Sequence, residues 1–254
     1  MIYDRTKITV PVLCPINFSE NVETYYYPHQ NKFTPVMLEN TRVMAIISAG
    51  VYSGGNVYLN MIDAETDILI SEILMTKAAL GSTYKYVSAD TNIGTAHRFV
   101  YFTIGQSTLL AKSSVYELFP TDTNVFKTLH YNNAKNDWNQ VFTATDLKMY
   151  IPCGFNPMNY TSKRRVENYQ DQDIQNINIY AQPYDTEMLT IGAPTGLPNW
   201  MYRKLNAVFA CDTIEINGTQ YRVAEGAELE KKMQTYDGLH ILEIELQPIN
   251  NYAQ

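Results

Sequence analysis

The chain has 254 residues, enough for one large or two small domains whose cores need no disulfide or metal staple. Apolar residues make up 45% and charged residues only 18%, and much of the polarity is carried by neutral side chains, among them 22 Asn and 20 Tyr, which excludes disordered and low-complexity classes. The acid excess, 26 Asp and Glu against 19 Lys and Arg, argues against a dedicated nucleic-acid binder, which carries a basic face.

Residues 1–34 have irregular patterning and contain Tyr25-Tyr26-Tyr27-Pro28, so they read as an N-terminal arm or an extended strand. The first residues lack a charged stretch followed by an apolar one, and no run approaches 18 apolar residues. The sequence therefore predicts neither a signal peptide nor a membrane span, and a protein kept on the cytosolic side. Short runs of alternating or β-branched residues follow at 42–49 (RVMAIISA), 56–62, 68–74, 98–104 and 113–119. Bounded by Gly, Pro, Asn and Asp, they are strands, with residues 63–67 as a solvated hairpin tip, and they predict a β-sandwich-like domain over 35–119.

An Asn-rich stretch, 120–138, reads as a crossover into a second β-rich module, 139–254. Strands are expected there at 146–151, 174–181, 213–217, 220–223 and 239–247. The best helix is 197–211, with Pro198 in its first turn and Trp200, Leu205, Val208 and Phe209 near helical spacing, which puts Trp200 in the core. Asn217-Gly218 is the strongest turn signal in the chain, because both residues tolerate positive φ and β-rich runs flank them. The charged stretch 224–235 reads as a short helix or a loop, weakened as a helix by Gly226. The fold class predicted is mainly β, β-sandwich-like, with one short helix in the C-terminal half.

The chemistry of the sequence is mostly negative. His29, His97, His130 and His240 are isolated from one another, without metal-ligand spacing. There is no Gly-x-Ser-x-Gly elbow, Walker loop or Gly-x-Gly-x-x-Gly. Asp171 and Asp173, and the alternating Asp63, Glu65 and Asp67, lack the further oxygen ligands and the glycine of a calcium loop. Cys14, Cys153 and Cys211 are widely spaced and odd in number, as small buried apolar residues would be. Lys163-Arg164-Arg165 reads as a solvated loop, with phosphate contact or a charged pairing at a subunit interface as the alternatives. No catalytic, cofactor or metal residue is assigned, and the chain reads as a non-enzyme. Carboxylates brought together from distant strands remain an open alternative.

Tyr, Phe and Trp are plentiful in segments without strand periodicity. Tyr25, Tyr26, Tyr27, Phe33, Tyr131 and Trp138 are the candidates for a subunit interface, since aromatic side chains bring large area at low entropic cost. A carbohydrate-binding or glycan-cleaving β-sandwich is the competing reading, with Trp138 and Tyr131 as its stacking platform.

The C-terminal quarter carries a further pattern: Leu197-Pro198-Asn199-Trp200, a short helix, Ile216-Asn217-Gly218-Thr219-Gln220-Tyr221, and a closing strand from Leu239 to Leu246. It resembles the C-terminal module of neck and tail structural proteins from tailed phages of Bacteroidetes, including crAss-like phages, and residues 98–119 are similar to a strand-hairpin-strand of the same proteins. The resemblance implies a virion protein made in the host cytoplasm, a ring of identical copies in the neck or tail that connects capsid to tail. Its partners would be itself and other neck and tail proteins, with DNA passing non-specifically through the lumen. No cofactor and no membrane are implied.

Overall fold

The computed structural model describes residues 8–18, 33–38, 40–48, 55–80, 84–91, 98–105, 109–119, 126–133, 146–155, 161–170, 176–234 and 238–249. The described strands, in chain order, are β1 (Ile8–Thr9), β2 (Val36–Met37), β3 (Arg42–Ser48), β4 (Tyr58–Asp63), β5 (Leu69–Leu74), β6 (Thr76–Leu80), β7 (Tyr84–Asp90), β8 (Phe99–Gly105) and β9 (Leu109–Leu118). There follow β10 (Phe126–Asn132), β11 (Leu147–Phe155), β12 (Thr161–Gln170), β13 (Asn176–Ile191), helix α1 (Asn199–Phe209), β14 (Thr213–Ile216), β15 (Thr219–Val223), β16 (Glu230–Gln234) and β17 (His240–Pro248). The protein is mainly β, as its alternating sequence requires.

The N-terminal half is sandwich-like. One sheet has the order β1-β3-β7-β6 and the other β2-β9-β8-β4-β5. The chain changes sheets at Met75, a buried corner between β5 and β6. Val43, Ala45 and Ile47 of β3 meet Leu59 and Met61 of β4 and Val100, Phe102 and Ile104 of β8 in one apolar cluster.

The C-terminal half closes on itself. Strands β13, β11, β10, β14, β15 and β17 pair in that order, and β17 pairs back with β13 through Leu242↔Ile191 to Leu246↔Glu187, completing a six-stranded antiparallel barrel. Closure removes the edges that an open sheet leaves exposed. Alternate residues of the six strands fill the interior, such as Leu129, Met149, Leu189, Ile214, Tyr221 and Ile244. Helix α1 lays Met201, Lys204, Leu205, Val208 and Phe209 inward, a stripe spaced i, i+3, i+4, i+7, i+8. The Asn217-Gly218 turn forms as the sequence predicts, with φ of 49° and 83° and Ile216 paired to Thr219.

Strand β3 joins the halves. Val43, Ala45 and Ile47 face the sandwich, whereas Met44 belongs to the barrel's cluster and Ile46 packs against it. Both faces of one strand therefore serve as walls, which explains why 42–48 is apolar at nearly every position.

Several sequence expectations need correction. The supposed arm 1–34 contributes Ile8, Leu13, Cys14, Ile16 and Phe18 to the two cores, each about 1% exposed or less. Its apolar positions are irregular because the described segment, after the two residues of β1, plugs the seam between the halves and builds no further strand. Tyr25, Tyr26 and Tyr27 lie outside the described residues. The crossover 120–138 contains β10, a central barrel strand between β11 and β14, disguised by polar outward positions such as Thr128 and His130. The stretch 224–235 is neither helix nor loop throughout. Gly226 turns the chain at φ 75°, and β16 then pairs along β17. Lys163-Arg164-Arg165 lies in β12 instead of a loop. Asp63 is buried at the hairpin tip, where its Oδ1 accepts hydrogen bonds from the Glu65 and Thr66 amides and the Thr66 hydroxyl.

Candidate assembly surface

The sequence of β13 is longer than the barrel requires. Residues 187–191 pair with β17, and 189–191 also with β11, while 176–186 pair only with β12. The hairpin β12–β13 thus leaves the barrel as a two-stranded ribbon, roughly 30 Å long at the usual rise per residue. A bulge between Glu167 and Asn168 adds twist along it.

The base of the ribbon is pinned. The Lys163 ammonium donates to Glu245 of β17 at 2.5 Å, and the Thr186 hydroxyl donates to the other oxygen of the same carboxylate at 2.5 Å. Burial pushes the Glu245 carboxyl up. The two hydrogen bonds and the Lys163 charge together outweigh it and hold the group below its ordinary value. Beyond this anchor, Arg164 and Arg165 are exposed and carry no ion pair among the described residues, and Val166 is 41% exposed beside them.

A second set of contacts holds the halves together. The Tyr131 hydroxyl donates to the Leu13 carbonyl at 2.6 Å, and the Thr41 hydroxyl donates to the Lys148 carbonyl at 2.7 Å. Lys204 reaches from α1 to the carbonyls of Cys14 and Pro15. Lys204 is 5% exposed, and burial lowers its pKa to about 8. Burial likewise raises the Cys14 thiol, partly countered by the Lys204 charge, so this cysteine stays a protonated apolar residue. Sequence reading passed over Lys204. The available signal was a lysine at a core position of an apolar helical stripe.

The predicted interface residues do not gather. Tyr131 is in β10, 2% exposed, its ring in the barrel core and its hydroxyl bonded, so it is neither a subunit contact nor a sugar platform. The alternation of β10 points Leu129 and Tyr131 inward together. Phe33 is half-buried and meets the ring of Trp200 edge-on at 6.2 Å. Trp200 itself lies on the margin of the core, because Met201 and Leu205 occupy the inward stripe. Trp138, Tyr25, Tyr26 and Tyr27 are outside the described residues, as are His29, His97, Asp171 and Asp173.

Among the described residues, no group of three or more His, Cys, Asp or Glu is placed to hold a metal ion. Cys14, Cys153 and Cys211 are buried and free, with burial holding the latter two thiols near pKa 12. No described helix is long and apolar enough to cross a membrane. No known protein family, curated protein or solved structure matches the chain. The β12–β13 ribbon pairs with no other described strand along residues 176–186.

Proposed function

We propose that this chain is a self-assembling virion subunit, a ring-forming component of a phage neck or tail that connects capsid to tail and helps to line the DNA channel. The observation that carries the reading is the β12–β13 ribbon, anchored at its base by Lys163 and Glu245 and unpaired with any other described strand along residues 176–186. An isolated two-stranded ribbon is marginally stable in water, so packing against a neighbouring chain would supply the surface it lacks. The resemblance of the Asn217-Gly218 hairpin module to neck and tail proteins supports the same reading. Two apolar cores sharing strand β3, tied by Lys204 and Tyr131, make a stiff body suited to a mechanical role.

A ring needs two complementary surfaces on every copy. An acid excess of seven charges favours a lumen through which DNA slides, because like charge limits adhesion to phosphate. The test is the mass of the full chain in solution across concentration, together with its stoichiometry in purified particles. Closed multimers of defined copy number are expected. A monomer at high concentration, or absence from the particle, overturns the reading.

A further inference from the structure

We infer that strand β5 of one copy is the docking edge for the β12–β13 ribbon of the next, by edge-to-edge strand pairing. This rests on the self-assembly reading above and names the second surface that such assembly needs.

Strand β5 is the last strand of its sheet and pairs only with β4 among the described residues. Among the described residues no strand pairs with the backbone N–H and C=O groups on its other side, a template for another strand. The chain also exposes large apolar side chains there: Ile68 at 63%, Leu69 at 51% and Leu74 at 54%. Register fixes where they point. A bulge makes Leu69 oppose Ile62, Glu72 oppose Asn60 and Leu74 oppose Tyr58, the three outward positions of β4. Leu69, Glu72 and Leu74 thus form one outer row, an acid flanked by two exposed leucines.

Pairing of β5 with itself is disfavoured. A two-fold centred on this row sets Glu72 against Glu72, and like charges directly opposite destabilise a strand pair. The hairpin has no compensating cation, since no Lys or Arg occurs between Arg42 and Lys77, while Asp63, Glu65, Asp67 and Glu72 do. The complementary strand is elsewhere on the same chain. Lys163, Arg164 and Arg165 are the only basic residues between Lys148 and Arg203. Lys163 is taken by Glu245, leaving Arg164 and Arg165. Arg164 and Val166 share one face of β12, two residues apart. Setting Arg164 opposite Glu72 in the parallel direction lays Val166 on Leu74, so charge and apolar surface match together. The contact is heterologous, ribbon to edge, the type that repeats around a ring.

The experiment is sedimentation of the full chain with two exposed-site variants: Arg164→Glu with Arg165→Glu on the ribbon, and Glu72→Lys with Leu74→Lys on the edge. Each alone should raise the concentration for half-assembly at least tenfold, with the melting temperature of the monomer unchanged. Mixing the two variants should restore assemblies larger than a dimer that hold both in equal number, because the unaltered ribbon fits the unaltered edge and the reversed ribbon fits the reversed edge. Combining Arg164→Glu, Arg165→Glu and Glu72→Lys in one chain should restore assembly in part. If both variants assemble like the unaltered chain, or the mixture stays monomeric, the ribbon-edge pairing is wrong while self-assembly stands. A monomeric unaltered chain overturns the self-assembly reading itself, and this pairing with it.

Discussion

The two halves solve the same problem with different geometry. The sandwich covers its core with two open sheets and leaves edges, β5 among them. The barrel joins β13 to β17 and has no edge within its ring of six strands. The open half depends on distant pieces of chain to finish its core, notably residues 8–18. The closed half obtains most of its core from its own strands and α1, borrowing Leu13 and Met44. Closure makes a unit self-sufficient, whereas an open sheet has to be completed by other segments of its own chain or by another copy.

The largest effect should come from removing residues 1–34. This deletes Ile8, Leu13, Cys14, Ile16 and Phe18 from the interior, each large side chain contributing about 1.5–3 kcal/mol by burial, against a typical total stability of about 5–15 kcal/mol. Loss of a cooperative melting transition for the sandwich is expected by circular dichroism. A truncated chain that melts like the intact one would show that the seam segment is dispensable.

Neighbouring substitutions in β3 should strike different halves. Met44→Ala opens a void in the barrel's cluster, at about 2–5 kcal/mol, and Val43→Ala costs the sandwich about 2 kcal/mol. Because the strand is a shared wall, both should lower one common transition in calorimetry. Two separable transitions, each moved by only one variant, would mean that the halves unfold independently.

Lys204→Met should cost about 2 kcal/mol near neutral pH, from the unpaired carbonyls of Cys14 and Pro15. The folded pKa of this lysine is about 8, lowered by burial from an ordinary value of 10.5. Between those values the unfolded chain binds the extra proton, so the lysine's contribution to stability rises with pH across that window. The variant lacks this gain and should fall further behind the unaltered protein at pH 10 than at pH 7. Urea titrations of the pair at both pH values cancel the cysteines and tyrosines common to them. A constant difference would mean that Lys204 does not titrate in this range.

The smallest effect is Gly218→Val. Chain neighbours aside, nothing lies within 4 Å of an added Cβ, so the expected cost is that of the positive φ, about 1 kcal/mol or more. An unchanged melting temperature would remove this turn as a determinant of barrel register.

Much of the strand content was legible because alternation is a local property. Residues 42–48, 58–63 and 99–105 announce themselves, and so does the Asn217-Gly218 turn, whose φ values only a few residue types accept. The interface candidates were less legible. Tyr131 looked like a loop aromatic because its neighbours Asn132 and Asn133 are polar, yet its ring fills the barrel and its hydroxyl meets Leu13, 118 residues away in sequence. Arg164 and Arg165 were visible as a charge cluster, but not as part of a strand, since their pairing partners lie across the hairpin.

Composition, periodicity and turn chemistry thus determined by themselves that this chain is mainly β, with one helix and a fixed final hairpin. The tertiary structure decided that β3 serves two cores, that β13 and β17 close a barrel, that Lys204 is buried against Cys14 some 190 residues earlier, and that β5 is left as an edge. The reason is range. A strand's alternation reports which residues share a face, whereas the surface that covers that face comes from partners far along the chain, whose pairing leaves no mark on local sequence.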